Sequence, residues 1–155
     1  MNGASELPLA SGEPHIRFVA DSHPEDFAGD LRVRNRHDGV IVIRGWKCQT
    51  KEACMNEMGA ALQIPGYFGE NWDALDECIS DLSWLPAARY VLFLAEIQRA
   101  FPEDDASLRT LLSVLSRAAT IWAQRGIAFH VLVCGSAEGI LRARTLMPES
   151  GETHG

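Results

Sequence analysis

Three short apolar runs set the strongest limit on how this chain can fold. They are Gly39-Val40-Ile41-Val42-Ile43-Arg44, Tyr90-Val91-Leu92-Phe93-Leu94 and Ile127-Ala128-Phe129-His130-Val131-Leu132-Val133. The first is continuously β-branched, the pattern of a strand buried on both faces of a parallel sheet. Helical periodicity fills the intervals. Thr50 is placed to cap a helix whose face is Cys54, Met58, Ala61 and Leu62, and Pro65-Gly66 ends that segment. Leu108, Leu111, Leu112, Leu115, Ala119 and Trp122 share one face of a longer helix, and Gly126 stands where a C-terminal glycine belongs. The order β-α-α-β-α-β implies an α/β domain with a small three-stranded parallel sheet and right-handed crossovers. At 155 residues, one such domain with its own core is expected.

The domain spans residues 39–134. Ahead of it, residues 1–38 form an N-terminal extension. Its first 14 residues read as a flexible leader without the basic and apolar regions of a signal peptide. His15 to Ala20 alternates with period two, so the extension is able to add an edge strand. Ser22 to Asp30 suits one or two helical turns. Arg32, Arg34 and Arg36 suit a solvent-facing edge or a fold back toward acidic surface. Residues 135–155 read as a partly disordered tail with a helical turn near Ile140–Leu146.

Between the first two strands lies the stretch IPGYFGENWDALDECISDLSW, residues 64–84. A Gly-punctuated aromatic loop runs into a helix starting near Asn71. Asp73, Asp76, Glu77 and Asp81 recur at helical spacing and form an acidic stripe, while Leu75, Ile79 and Leu82 follow the spacing of a buried face. The net charge is −7, and residues 52–88 hold seven acids and no Lys or Arg, so this segment alone accounts for it. The rest of the chain balances 14 acids against 14 bases. A concentrated acidic field argues against direct nucleic-acid binding and favours encounter with a basic protein. A solvated helix face is the plain alternative.

Other chemistry has little support. The five histidines are scattered, and no metal-ligand spacing or EF-hand loop appears. His130 reads as a core or edge residue. The four cysteines lack CxxC pairing, which suits reduced thiols and a reducing, cytoplasmic setting. Cys78 stands beside Asp76 and Glu77, so its thiol is a poor nucleophile. Asp73 and Glu77 could serve as an acid/base pair only within a cleft that the sequence does not indicate. No cofactor, metal or membrane span is expected, and the reading is of a non-enzymatic protein. Tyr67, Phe68, Trp72 and Trp84 interleave with the acids, as aromatic anchors do in interfaces. Trp72 suits core or interface, and Trp84 suits packing beneath the following strand.

Tyr67-Phe68-Gly69-Glu70-Asn71-Trp72-Asp73-Ala74-Leu75, followed by Glu77-Cys78 and Trp84, closely resembles the signature of the barstar family of bacterial ribonuclease inhibitors. A weaker similarity runs over residues 39–134. The resemblance implies that the acidic helix and its preceding loop plug the active site of a ribonuclease, with carboxylates standing in for RNA phosphates. Taken with the acidic stripe and the aromatic loop, the candidate partner contacts are Tyr67, Phe68, Glu70, Asn71, Asp73, Asp76, Glu77 and Asp81. Asp73 and Glu77 match the two anchoring helix acids, Tyr67 the loop aromatic and Asn71 the helix-start Asn. The implied partner is a basic ribonuclease or nuclease-type toxin, bound by an immunity protein that is monomeric when free. A regulatory module of the same fold with a non-nuclease partner is the alternative. The chain departs from the family pattern in three places. Glu77 stands for the usual Asp and Asp76 for a Trp of the namesake. Ile121 and Arg125 stand where the namesake carries acids.

Overall fold

The computed structural model describes residues 15–20, 37–66 and 71–148. Strands β1 (Ile16–Val19), β2 (Asp38–Arg44), β3 (Arg89–Ala95) and β4 (Phe129–Cys134) form one sheet in the order β1-β4-β3-β2. All its pairings are parallel. The helices are α1 (Lys51–Ala61), α2 (Trp72–Asp81), α3 (Asp105–Gln124) and α4 (Ala137–Leu146), with short 3-10 turns at Gly45–Lys47 and Ile97–Arg99.

The sheet therefore has four strands, not the three expected. The fourth comes from the N-terminal extension. Ile16 to Val19 pair with Val131 to Cys134, closing the β4 edge that would otherwise expose unpaired backbone groups. The expected turns within 22–30 and the basic stretch 32–36 lie outside the described residues.

Sequence signals set the helix ends. The Thr50 hydroxyl accepts from the Ala53 N–H at 3.1 Å and caps α1. The Asp104 carboxylate accepts from the Ser107 N–H at 3.0 Å and caps α3. Gly126 follows α3 with φ of 82°, a left-handed conformation in which glycine carries no Cβ penalty.

Where a single helical turn near Ile140–Leu146 in a partly disordered tail was expected, the chain forms the ten-residue α4. The Ser136 hydroxyl caps it by accepting from the Gly139 N–H at 3.1 Å. Arg142 ties it down, donating to the carbonyls of Ala100 and Phe101 and to Asp105. Gly139 permits close contact there: a Cβ would lie 2.8 Å from the Gln98 nitrogen. Residues 149–155 lie outside the described residues.

Every described helix packs on one face of the sheet, building a core around Tyr90, Leu92, Leu94, Phe129 and Val131. Val91, Phe93, Leu132 and Cys134 form a second buried cluster on the other face. The continuous apolar runs follow from this burial on both sides.

Candidate partner-binding site

The site is built on α2. Asn71 is its N-cap, accepting through Oδ1 from the Ala74 N–H at 2.8 Å. Leu75 and Ile79 are fully buried and fix the helix on the core. Trp72 is half-buried and meets Phe101 at 6.5 Å between ring centroids, so it belongs to the packing beneath the helix. Trp84 also packs on the core and donates from Nε1 to the Leu62 carbonyl at 2.9 Å, at the end of α1.

Helix α3 supplies the other supports. Trp122 Nε1 donates to the Ile79 carbonyl at 2.9 Å. Arg125 lies over the Trp122 ring at 4.7 Å and donates to the Ser80 carbonyl. These bonds satisfy carbonyls of the last turn of α2, where a helix has no partners of its own and favours a cation. The helix stops at Leu82, in the left-handed region with φ of 45°.

This anchoring sorts the acids. Asp73, Glu77 and Asp81 are exposed and spaced four residues apart, one stripe along the helix. Asp81 accepts a 3.3 Å hydrogen bond from the Ser83 hydroxyl. Asp73 and Glu77 enter no ion pair with any described residue. Asp73 also lies in the first turn, where the helix dipole favours a carboxylate. Asp76 instead turns toward α3 and pairs with Arg117 at 3.0 Å. Counting bases within residues 52–88 suggests that none is in reach, yet Arg117 arrives from another helix. The clue was periodicity along α3, because Arg117, Ile121 and Arg125 share one face at i, i+4 and i+8. Tyr67, Phe68 and Glu70 lie outside the described residues.

Burial pushes the Cys78 thiol up, and Asp81 and Glu77 add to the effect, so a thiolate is disfavoured on this helix. Among the described residues no group of three or more His, Cys, Asp or Glu side chains could hold a metal ion. No described helix is long and apolar enough to cross a membrane.

Residues 39–134 match the family model described as Barstar (barnase inhibitor). The chain belongs to the barstar family. The matched range contains α2 and its supports on α3, while β1 and α4 lie outside it. No curated protein matches the chain. Among solved structures, it is similar to a chain in the structure of Drosophila ORC bound to AT-rich DNA and Cdc6. That match has 14% identity and a TM-score of 0.51, covering 99% of this chain and 54% of the other. It is also similar to a chain in the structure of Drosophila ORC bound to DNA, with 17% identity and a TM-score of 0.55 over 94% of this chain and 25% of the other. This barstar-family chain thus spans about half or less of the lengths of those chains, and at such identities the likeness concerns the fold alone.

Proposed function

We propose that this protein is an inhibitor that binds a basic ribonuclease or nuclease-type toxin and occludes its active site with α2. One observation carries the reading: Asp73, Glu77 and Asp81 form a single exposed stripe on a helix whose opposite side is locked into the core. A rigid element presenting carboxylates is preorganised, so little freedom is lost on binding. Family membership supports the same reading, and the family resemblance adds Tyr67, Phe68, Glu70 and Asn71 to the contact. Inhibition is steric and electrostatic, with no chemistry by the inhibitor itself. The bacterial cytoplasm, where an immunity protein would guard RNA, is the expected setting.

The Asp76–Arg117 pair and the engagement of Arg125 with α2 shape a second reading. They place cations beside the stripe, which suits a partner whose surface differs from that of the namesake's enzyme, including a non-nuclease partner. Capture of partners from the native cell, followed by a ribonuclease assay with and without the inhibitor, separates the two. A captured nuclease silenced at one-to-one stoichiometry supports inhibition. A captured protein without nuclease activity sinks it.

A further inference from the structure

Helix α4 anchors itself by one face and leaves a second apolar stripe open. Gly139, Ala143 and Leu146 are its buried face. Ala137, Ile140, Leu141 and Arg144 recur at i, i+3, i+4 and i+7, so they share another. Leu141 on that stripe is 66% exposed, and no other large hydrophobic among the described residues stands so open. The end of β1 runs alongside. Phe18 and Ala20, two apart on an extended chain, turn to the same side. Between strand and helix lies an open groove of about 340 Å³, lined by Phe18, Ala20, Ala137, Ile140, Leu141 and Arg144. Single exposed apolar residues are ordinary on protein surfaces. Leu141 differs because it edges a concave apolar floor.

Charge identifies what suits the groove. The Arg144 guanidinium lies over the Phe18 ring at 4.6 Å. It enters no ion pair with any described residue. Stacking holds the guanidinium in place and leaves its N–H edge able to grip a carboxylate with two bonds. No acidic residue is among those that line the groove. A basic occupant would be repelled, and a neutral one would strip water from Arg144 without pairing it. A protein segment fits better than a small lipid acid, because an open groove cannot enclose an acyl chain, while a segment covers Leu141 from outside.

The position of the groove sets it apart from the acidic stripe. Its residues come from β1, its exit and α4, all outside the family match over 39–134. Helix α2 packs on the C-terminal half of α3 through Asp76–Arg117 and Ile79–Trp122, whereas Arg142 ties α4 to Asp105 at the start of α3.

We propose that the groove between β1 and α4 is a second docking surface, for an acidic segment of another protein. The segment seats an apolar side chain against Leu141 and Phe18 and places a carboxylate on Arg144. It shares no residue with the α2 stripe, so both surfaces can be engaged at once.

Selection of random peptides displayed on phage tests this, using the immobilised full chain and removing every peptide that also binds Leu141→Ser. Surviving peptides, made synthetically, are titrated into labelled protein and followed by NMR. They should pair Leu, Ile or Phe with Asp or Glu and shift the Leu141 methyl and Phe18 ring signals, while the amides of Asp73 and Glu77 stay in place. Arg144→Glu should weaken them roughly ten-fold, and selection repeated on that variant should exchange their acids for Lys or Arg. Both side chains are exposed, and the amide spectrum of each variant checks that the fold is kept. If Arg144→Glu disturbs it, Arg144→Gln takes its place and the preference for acids should vanish. No surviving peptide, survivors without acids, or survivors indifferent to the charge at position 144 overturn the proposal. Dodecanoate shifting the same signals at lower concentration than any selected peptide assigns the groove to a lipid and overturns it too.

Discussion

Glu57 and Asp73 come from the same base-free stretch of sequence and end in opposite surroundings. Glu57 is 6% exposed, and its two oxygens accept three hydrogen bonds from Arg44, two from the guanidinium and one from the backbone N–H. Asp73 stands in water on α2 with no ion-pair partner among the described residues. One carboxylate joins α1 to the end of β2. The other is left open on a helix held rigid from behind. Similar charge thus serves structure on one helix and presentation on the next, and burial with its partners decides which. Asp76 falls between them, paired to Arg117 yet partly solvated.

The largest expected effect concerns presentation. With the cognate nuclease in hand, Asp73→Ala should weaken binding by about 2 kcal/mol or more, roughly thirty-fold in Kd. That is the usual mark of an interface hot spot, and the family's namesake is itself a well-known extreme case. Stability in urea should move by less than about 0.5 kcal/mol, as for exposed positions generally. Calorimetric titration and a urea melt of the same variant make the measurement. Unchanged affinity would remove Asp73 from the interface and erase the contrast with Glu57.

Glu57→Ala should show the reverse. It strands a guanidinium and a backbone N–H, and because the Arg44 side chain is 44% exposed, water recovers part of the loss. About 1–3 kcal/mol of stability should disappear, with affinity for the nuclease intact. A melt shifted by under about 0.5 kcal/mol would show that the buried pair contributes no more than a surface one.

Acid titration sharpens the same contrast. Burial works to raise the Glu57 carboxyl, but hydrogen bonds from Arg44 outweigh it and hold the group below its ordinary 4.5. The folded chain then resists protonation more than the unfolded one. This stabilisation is complete above pH 4.5 and is lost as pH falls through the lower folded value. Glu57→Gln should flatten that limb. His130 acts at a higher pH. Burial, aided by Arg89, lowers its pKa from 6.5, so the unfolded chain takes up the proton first and stability falls once pH drops below about 6.5. His130→Leu should remove that upper limb alone. A profile unchanged by both variants would refute the assignment.

What could be read from the sequence depended on distance along the chain. The three apolar strands, the Thr50 cap and the α2 start at Asn71 are local patterns, and all are present. The buried side of α2 was equally legible, since Leu75 and Ile79 repeat at helical spacing. Less accessible were facts that depend on what comes near. The pairing of β1 with β4 joins residues more than a hundred positions apart. The close approach of Gln98 to Gly139 joins residues about forty positions apart. The role of Asp76 depends on Arg117, 41 positions away on another helix. The acidic count therefore did not reveal that Glu57 and Asp76 have basic partners within the fold.

The smallest expected effect tests that last point. Asp76→Asn removes the ion pair to a guanidinium whose side chain is 57% exposed, so no more than about 0.5–1 kcal/mol of stability is at stake. If Arg117 already neutralises Asp76, affinity for a basic partner should also change little, by less than three-fold. Arg117→Gln gives the complementary result. Freeing Asp76 adds an unpaired charge beside Glu77, so association with a basic nuclease should quicken at low salt and the gain should fade as salt rises. Stopped-flow association at two ionic strengths measures both variants. A large loss with Asp76→Asn and no gain with Arg117→Gln would return Asp76 to the stripe as a direct contact, and the division among the helix acids would have to be redrawn.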